Sequence, residues 1–231
     1  MTKTGPAPLP TPAWDPVTLW SRPESERAGT PLLVLFHGYM ADERDLMALA
    51  DYLPGEFTVV SVRAPSTEEQ GYSWFPLSRD AGYSVEAVVE ALKPLAEWLD
   101  AIRAPHSSVS LLGFSMGMGV ATSLLRHRPD DFATVVGLSG FAVPPEGHSF
   151  FQDEALAGRQ VPFFWGRDQA DEVIASSMVE YTHRWATSTT RLTKVLYPNM
   201  GHSISQQELA HVREFLTLTV LKAPTGRTGG G

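Results

Sequence analysis

No cysteine occurs among the 231 residues, which excludes disulfides and thiolate metal sites but does not fix a compartment. No apolar run approaches the roughly 18 residues that a membrane helix needs, so no stable membrane insertion is expected. Residues 1–13 are rich in Pro and Thr and lack the apolar stretch of a secretory signal, so a cytoplasmic protein is expected. No His-x-x-x-His pair and no Gly-rich loop ending in Lys is present, so neither a metal nor a nucleotide cofactor is signalled. Positive charge is in short supply as well. With 18 Lys and Arg against 26 Asp and Glu, the formal net charge is -8. That is the wrong sign for a phosphate backbone, so nucleic acid is not expected as a partner. An acidic surface also simply keeps a protein soluble.

What is present is an ordinary globular composition, 43% hydrophobic, without internal repeats. The ends read as loose tails, 1–13 and 222–231, around one domain spanning 14–221. A monomer or weak homodimer is the expected state. The continuously apolar run 32–36 reads as a strand buried on both faces, and the largely apolar runs 57–62, 109–112, 134–138, 161–165 and 192–197 read as further strands of this kind. Helical spacing lies between them. Leu46, Leu49, Ala50 and Leu53 follow one helical face, with Asp42 as the candidate cap. A long helix is expected over 84–102, kinked at Pro94. Another is expected over 116–127, and a last one begins near Ser205, where Ser205 and Glu208 fit a capping box. Strand and helix in alternation predict an α/β fold, a mostly parallel sheet covered on both faces. In such sheets chemistry lies just beyond the carboxyl ends of the strands.

The strand at 109–112 is followed by Gly113-Phe114-Ser115-Met116-Gly117, a G-x-S-x-G pattern. Such a turn from strand to helix holds a serine in a strained backbone with its hydroxyl exposed, and glycines on either side keep side chains out of neighbouring backbone. Taken alone, the pattern also describes a Gly-rich turn around a structural serine. Its place between a buried strand and a helix makes Ser115 the candidate nucleophile. An oxyanion hole needs backbone N–H groups aimed at a developing negative charge. Met116, next after the serine, offers one, and Tyr39, in the loop after strand 32–36, is the candidate for the other. His37 reads as a brace for that loop. His202 follows the last strand, where it can act as the base. The acid comes from Asp168 or Asp171, both after strand 161–165. Asp171 is favoured because Val173 and Ile174 can anchor its loop while the carboxylate points inward. Asp168 can serve as a turn cap, and Glu172 reads as a solvated charge.

These residues resemble the carboxylesterase/phospholipase family of the α/β-hydrolases, which includes the acyl-protein thioesterases. The likeness runs from about residue 32 to 216. It rests on Phe36-His37-Gly38 with Asp42-Glu43-Arg44-Asp45-Leu46, on Ser73-Trp74-Phe75, on the Ser115 motif, on Asp171-Glu172-Val173-Ile174 and on Gly201-His202-Ser203-Ile204. Met116 stands where the thioesterases usually have Gln, Ala175 where the family often has Pro, and two extra residues separate Gly166 from Asp171. The resemblance implies a cofactor-free serine carboxylesterase with little or no cap, acting on a small-molecule ester of short to medium chain. An acyl-protein thioesterase or lysophospholipase is the alternative, and a non-catalytic binding module of the same fold is a more distant one. Trp74 and Phe75 are candidate substrate-binding residues, or else plain core aromatics. The stretch 141–160 is a candidate lid, with Phe150 and Phe151 over the entrance.

Overall fold

The computed structural model describes residues 14–77 and 82–222. Both expected tails lie outside the described residues apart from Lys222. The chain runs β1 (Thr18–Trp20), β2 (Leu32–Phe36), β3 (Thr58–Val62), β4 (Ser66–Glu68), β5 (Gly71–Ser73), α1 (Val85–Arg103), β6 (Val109–Phe114) and α2 (Met116–His127). It continues with β7 (Thr134–Leu138), α3 (Asp153–Arg159), β8 (Pro162–Arg167), α4 (Ser176–Thr189), β9 (Arg191–Leu196) and α5 (Gln206–Leu216). Seven strands form one sheet in the order β1-β3-β2-β6-β7-β8-β9. Every pairing is parallel except that of β1 with β3. This is the expected α/β architecture.

The apolar runs of the central strands follow from burial on both faces of the sheet, whereas the run at 192–197, expected to be equally buried, forms the edge strand β9 with its residues exposed or half-buried. Leu32, Val34 and Phe36 point into one core with α1 and α2, while Leu33 and Leu35 point into a second core with α5. Alternation along the strand thus feeds two cores rather than one core and solvent. Helix α1 starts where the sequence places it, with the Ser84 hydroxyl accepting from the Ala87 amide, and it continues through Pro94.

Three local expectations give way. The segment with helical spacing around Leu46 forms turns and a 3-10 helix, Met47–Tyr52, rather than an α-helix. Asp42 closes a tight turn onto the Arg44 amide, and Leu53 is extended, as the following Pro54 demands, so too few residues remain for full α turns. The capping box at α5 is half made. Ser205 accepts from the Glu208 amide, but the Glu208 carboxyl is fully buried with neither oxygen hydrogen-bonded. The third is the lid. Phe150 stacks on His127 at 3.9 Å, at the far end of α2 from Ser115. The twelve residues of α2 put that about 18 Å from the nucleophile. Arg126, wholly buried, fixes the segment there. It holds Asp153 through two bonds of 2.7 Å, donates to the Val143 carbonyl, and lies under the Phe151 ring. An edge strand (β1) and the small hairpin β4–β5 went unread in the sequence; Ala41 bridges to Tyr72 of that hairpin, tying it to the loop after β2.

Candidate active site

Strands β2, β6, β7, β8 and β9 are neighbours, so the loops leaving their carboxyl ends meet along one edge of the sheet. Ser115 sits at the first of two sharp features there. Its backbone has φ 54° and ψ -119°, a conformation that L-residues avoid and that only surrounding contacts can impose. Those contacts are visible. A Cβ on Gly113 would lie 2.1 Å from the Gly117 carbonyl oxygen, and one on Gly117 would lie 1.9 Å from that of Phe36. The Ser115 amide is held by the Leu138 carbonyl at 2.9 Å. The helix that follows turns its positive end toward the serine.

His202 lies opposite. Its Nε2 is 2.9 Å from Ser115 Oγ, and its Nδ1 is 2.9 Å from Asp171 Oδ2. A carboxylate can only accept here, so Nδ1 carries the proton and Nε2 is left to accept from the serine hydroxyl. Phe114 packs against the imidazole at a centroid distance of 5.2 Å. The second Asp171 oxygen accepts from the Val173 amide. Ile174 packs on the core as expected, whereas Val173 is 65% exposed.

Asp168 does not touch the ring. Its carboxylate accepts from the amides of Ala170 at 2.8 Å and Gly201 at 2.7 Å, and these bonds hold its pKa below the usual carboxylate range. It therefore ties the loop after β8 to the residue just before His202. A second tie comes from Ser139, which follows β7 in a left-handed conformation, φ 43°, and donates its hydroxyl to the Ser203 carbonyl at 3.1 Å. The sequence reading missed Ser139. Its signal was a Ser-Gly pair just past a buried strand, at the sheet edge where the other site residues lie.

On the other side of the serine stands the loop after β2. Gly38 is so close that an added Cβ would meet the Phe114 ring at 3.2 Å and Ser115 Cβ at 3.5 Å. Tyr39 follows it in the same loop. His37 is a brace, as expected. Its Nε2 accepts from the Ala64 amide, so Nδ1 holds the proton and donates to the Gly38 carbonyl. Burial pushes its pKa down and keeps the ring neutral. Trp74 donates its indole N–H to the His37 carbonyl at 2.9 Å and packs edge-on against Phe36. With Trp74 2% exposed and Phe75 0%, neither offers surface to a ligand. The expectation that they bind substrate is thus corrected: they support the loop from beneath. The Met116 side chain is likewise buried, leaving only its backbone for the site. Among the described residues no group of acidic and histidine side chains could hold a metal ion.

The whole arrangement can be set beside known proteins. Residues 23–220 match the family model described as Phospholipase/Carboxylesterase. The chain belongs to the phospholipase/carboxylesterase family. It is therefore an α/β-hydrolase-fold enzyme of the serine hydrolase type. It is 24% identical to MhqD of Bacillus subtilis (strain 168) over 188 residues, 80% of this chain and 91% of that protein. Among solved structures, the Bacillus cereus carboxylesterase superposes with a TM-score of 0.73 at 20% identity, covering 88% of this chain and 94% of that one. Arabidopsis thaliana SOBER1 superposes with a TM-score of 0.70 at 20% identity, over 84% of this chain and 100% of the other. At that identity the superpositions speak for the fold. No helix among the described residues is long and apolar enough to cross a membrane.

Proposed function

We propose that this family member is a carboxylesterase that cleaves short- to medium-chain esters through an acyl-enzyme on Ser115. The observation that carries the reading is the pair of 2.9 Å contacts linking Ser115, His202 and Asp171 at a strained strand-to-helix turn. His202 takes the serine proton as Oγ attacks the ester carbonyl, and Asp171 steadies the imidazolium that forms. The C–O bond breaks as His202 protonates the departing alcohol. Water then attacks the acyl-enzyme by the same route and releases the acid. The tetrahedral oxyanion is received by the amides of Met116 and Tyr39, which belong to the two segments meeting at Ser115 and Gly38. Met40 and Val173, 42% and 65% exposed on the loops of Tyr39 and Asp171, are the apolar side chains that an acyl group of a few carbons would use.

Hydrolysis of p-nitrophenyl acetate, octanoate and palmitate by the wild type and by Ser115→Ala tests this. The expected result is turnover that falls with acyl length and vanishes in the variant. Preference for palmitate would replace the substrate reading with a lipase or thioesterase one, and full activity of Ser115→Ala would remove the nucleophile assignment.

A further inference from the structure

A cluster of hydrogen-bond donors without acceptors lies on the β8–β9 face beside α4. Trp165 and Lys194 are paired across the two strands, and Arg167 follows two residues along the same face as Trp165. Lys194 Nζ is 4.5 Å from the Trp165 ring centroid, and the Arg167 guanidinium carbon is 6.0 Å from it. The Trp165 indole N–H is buried with no partner. Arg167 is 4% exposed and uses its Nε on the Asp168 carbonyl. Among the described residues, its two terminal nitrogens and Lys194 Nζ make no hydrogen bond or ion pair. Two cations that share one groove and sit partly out of water are costly unless something neutralises them. Burial lowers the pKa of both; Asp171 and Asp168 oppose this in part at Arg167, whereas Arg167 lowers that of Lys194 further.

Both side chains line an open groove of about 700 Å³, large enough for a small molecule. Ser176, the first residue of α4, lines it too, so the positive end of that helix adds to the field. Three carboxylates share the groove; none forms an ion pair with either cation, although the charge of Asp171 offsets part of that of Arg167 and leaves Lys194 uncompensated. Asp171 is committed to His202 and the Val173 amide. Glu172 is exposed, and Glu180 is exposed and paired loosely with Arg184 at 3.9 Å. These rim carboxylates disfavour a polyanion and leave room for a compact anion that reaches past them.

We propose that this groove binds a small carboxylate or phosphate between the Arg167 guanidinium and the Lys194 ammonium. The planar guanidinium fork matches two oxygens of either group. Asp171 is the one member of the Ser115–His202–Asp171 set that lines the groove, and binding here does not depend on whether that set hydrolyses esters.

The test follows the indole N–H signals of 15N-labelled full-length protein during titration with inorganic phosphate, and separately with acetate. Ionic strength is held constant with chloride, and the Trp165 signal is assigned with Trp165→Phe. A saturable shift of the Trp165 signal is expected, weakened at least tenfold in Lys194→Gln. Arg167→Gln provides a second comparison if it folds; Lys194→Gln decides the matter if it does not. Where the shift is seen, KM values for p-nitrophenyl acetate and the p-nitrophenyl half-ester of succinate locate the anion's source. A KM raised by Lys194→Gln for the half-ester alone marks the substrate's own carboxylate, and unchanged KM values mark a separate ligand. A shift that chloride reproduces, no saturation, or equal binding by Lys194→Gln overturns the proposal.

Discussion

Asp168 and Asp171 stand three residues apart and act on the same histidine differently, one by holding the amide of the preceding Gly201 and one by bonding the His202 ring. Their variants should separate accordingly. Asp171→Asn keeps the shape but presents an amide to Nδ1, so the wrong tautomer is favoured and kcat should fall by about 10⁴ with little change in KM. Asp168→Asn leaves the ring contact intact but places an N–H against the loop amides. Misplacement of His202 by a fraction of an ångström then costs about 100-fold in kcat. Steady-state kinetics on p-nitrophenyl acetate measures both, and equal losses would show that the two carboxylates are not distinct in role. At this scale the sequence was legible where residue type and chain position suffice, as at Ser115 and His202. It was silent where a role is carried by a backbone atom of another loop. Nothing local marks Asp168 as the acceptor for the Gly201 amide, or Ser139 as the donor to the Ser203 carbonyl. Trp74 and Phe75 were ambiguous for a related reason: whether an aromatic residue faces a ligand or the core depends on what lies above it.

Elements depend on contacts that the local pattern only partly reports. The turn between β6 and α2 was readable because its glycines are forced by backbone, and it should be correspondingly intolerant. Gly117→Ala would set a methyl 1.9 Å from the Phe36 carbonyl oxygen, so a loss of about 3 kcal/mol or more is expected in denaturant unfolding. Stability within about 0.5 kcal/mol of wild type, as is typical of neutral surface changes, would contradict the packing described. The 141–160 stretch was misread as a lid because its phenylalanines lack strand or helix periodicity and thus resemble a mobile apolar flap. The missing information was Arg126, which looks like an ordinary helix-surface charge in α2 yet is wholly buried against Asp153. Arg126→Met should cost about 2 kcal/mol, since Asp153, 31% exposed, keeps only its bond from the Trp185 indole N–H while the Val143 carbonyl loses its donor. Because the anchor is at the far end of α2, the kcat of the folded variant should stay within about tenfold of wild type, distance having removed it from the chemistry. A selective loss of kcat with unchanged stability would restore the lid.

At the scale of the whole molecule, the order of the sheet was legible in outline. Continuous apolar runs require two covered faces, and alternation with helices requires parallel strands. Strand β1 escaped because three half-buried residues at an antiparallel edge carry no such pattern. The fold also buries Glu208 without a hydrogen-bond partner for its carboxyl, next to Gly166 and Tyr197, and burial pushes its pKa up to about 8. The unfolded chain releases this proton near the ordinary value of 4.5, so between that pH and about 8 the folded state holds one proton more. Stability from this group is therefore greatest at low pH and declines as pH rises through that window. Glu208→Gln should flatten the decline and raise Tm relative to wild type near pH 8, as thermal melts from about pH 5 to about pH 9 can show. A parallel pH dependence in the two proteins would mean that the carboxyl is solvated or paired.

The central claim is that the fold assembles a reactive serine at residue 115. Incubation of the folded protein with a fluorophosphonate, followed by peptide mapping, addresses it most directly, because the reagent requires an activated hydroxyl and no knowledge of the substrate. The expected result is stoichiometric label on Ser115, abolished in His202→Ala. Absence of label, or label on another residue of a protein that melts cooperatively, would contradict the account.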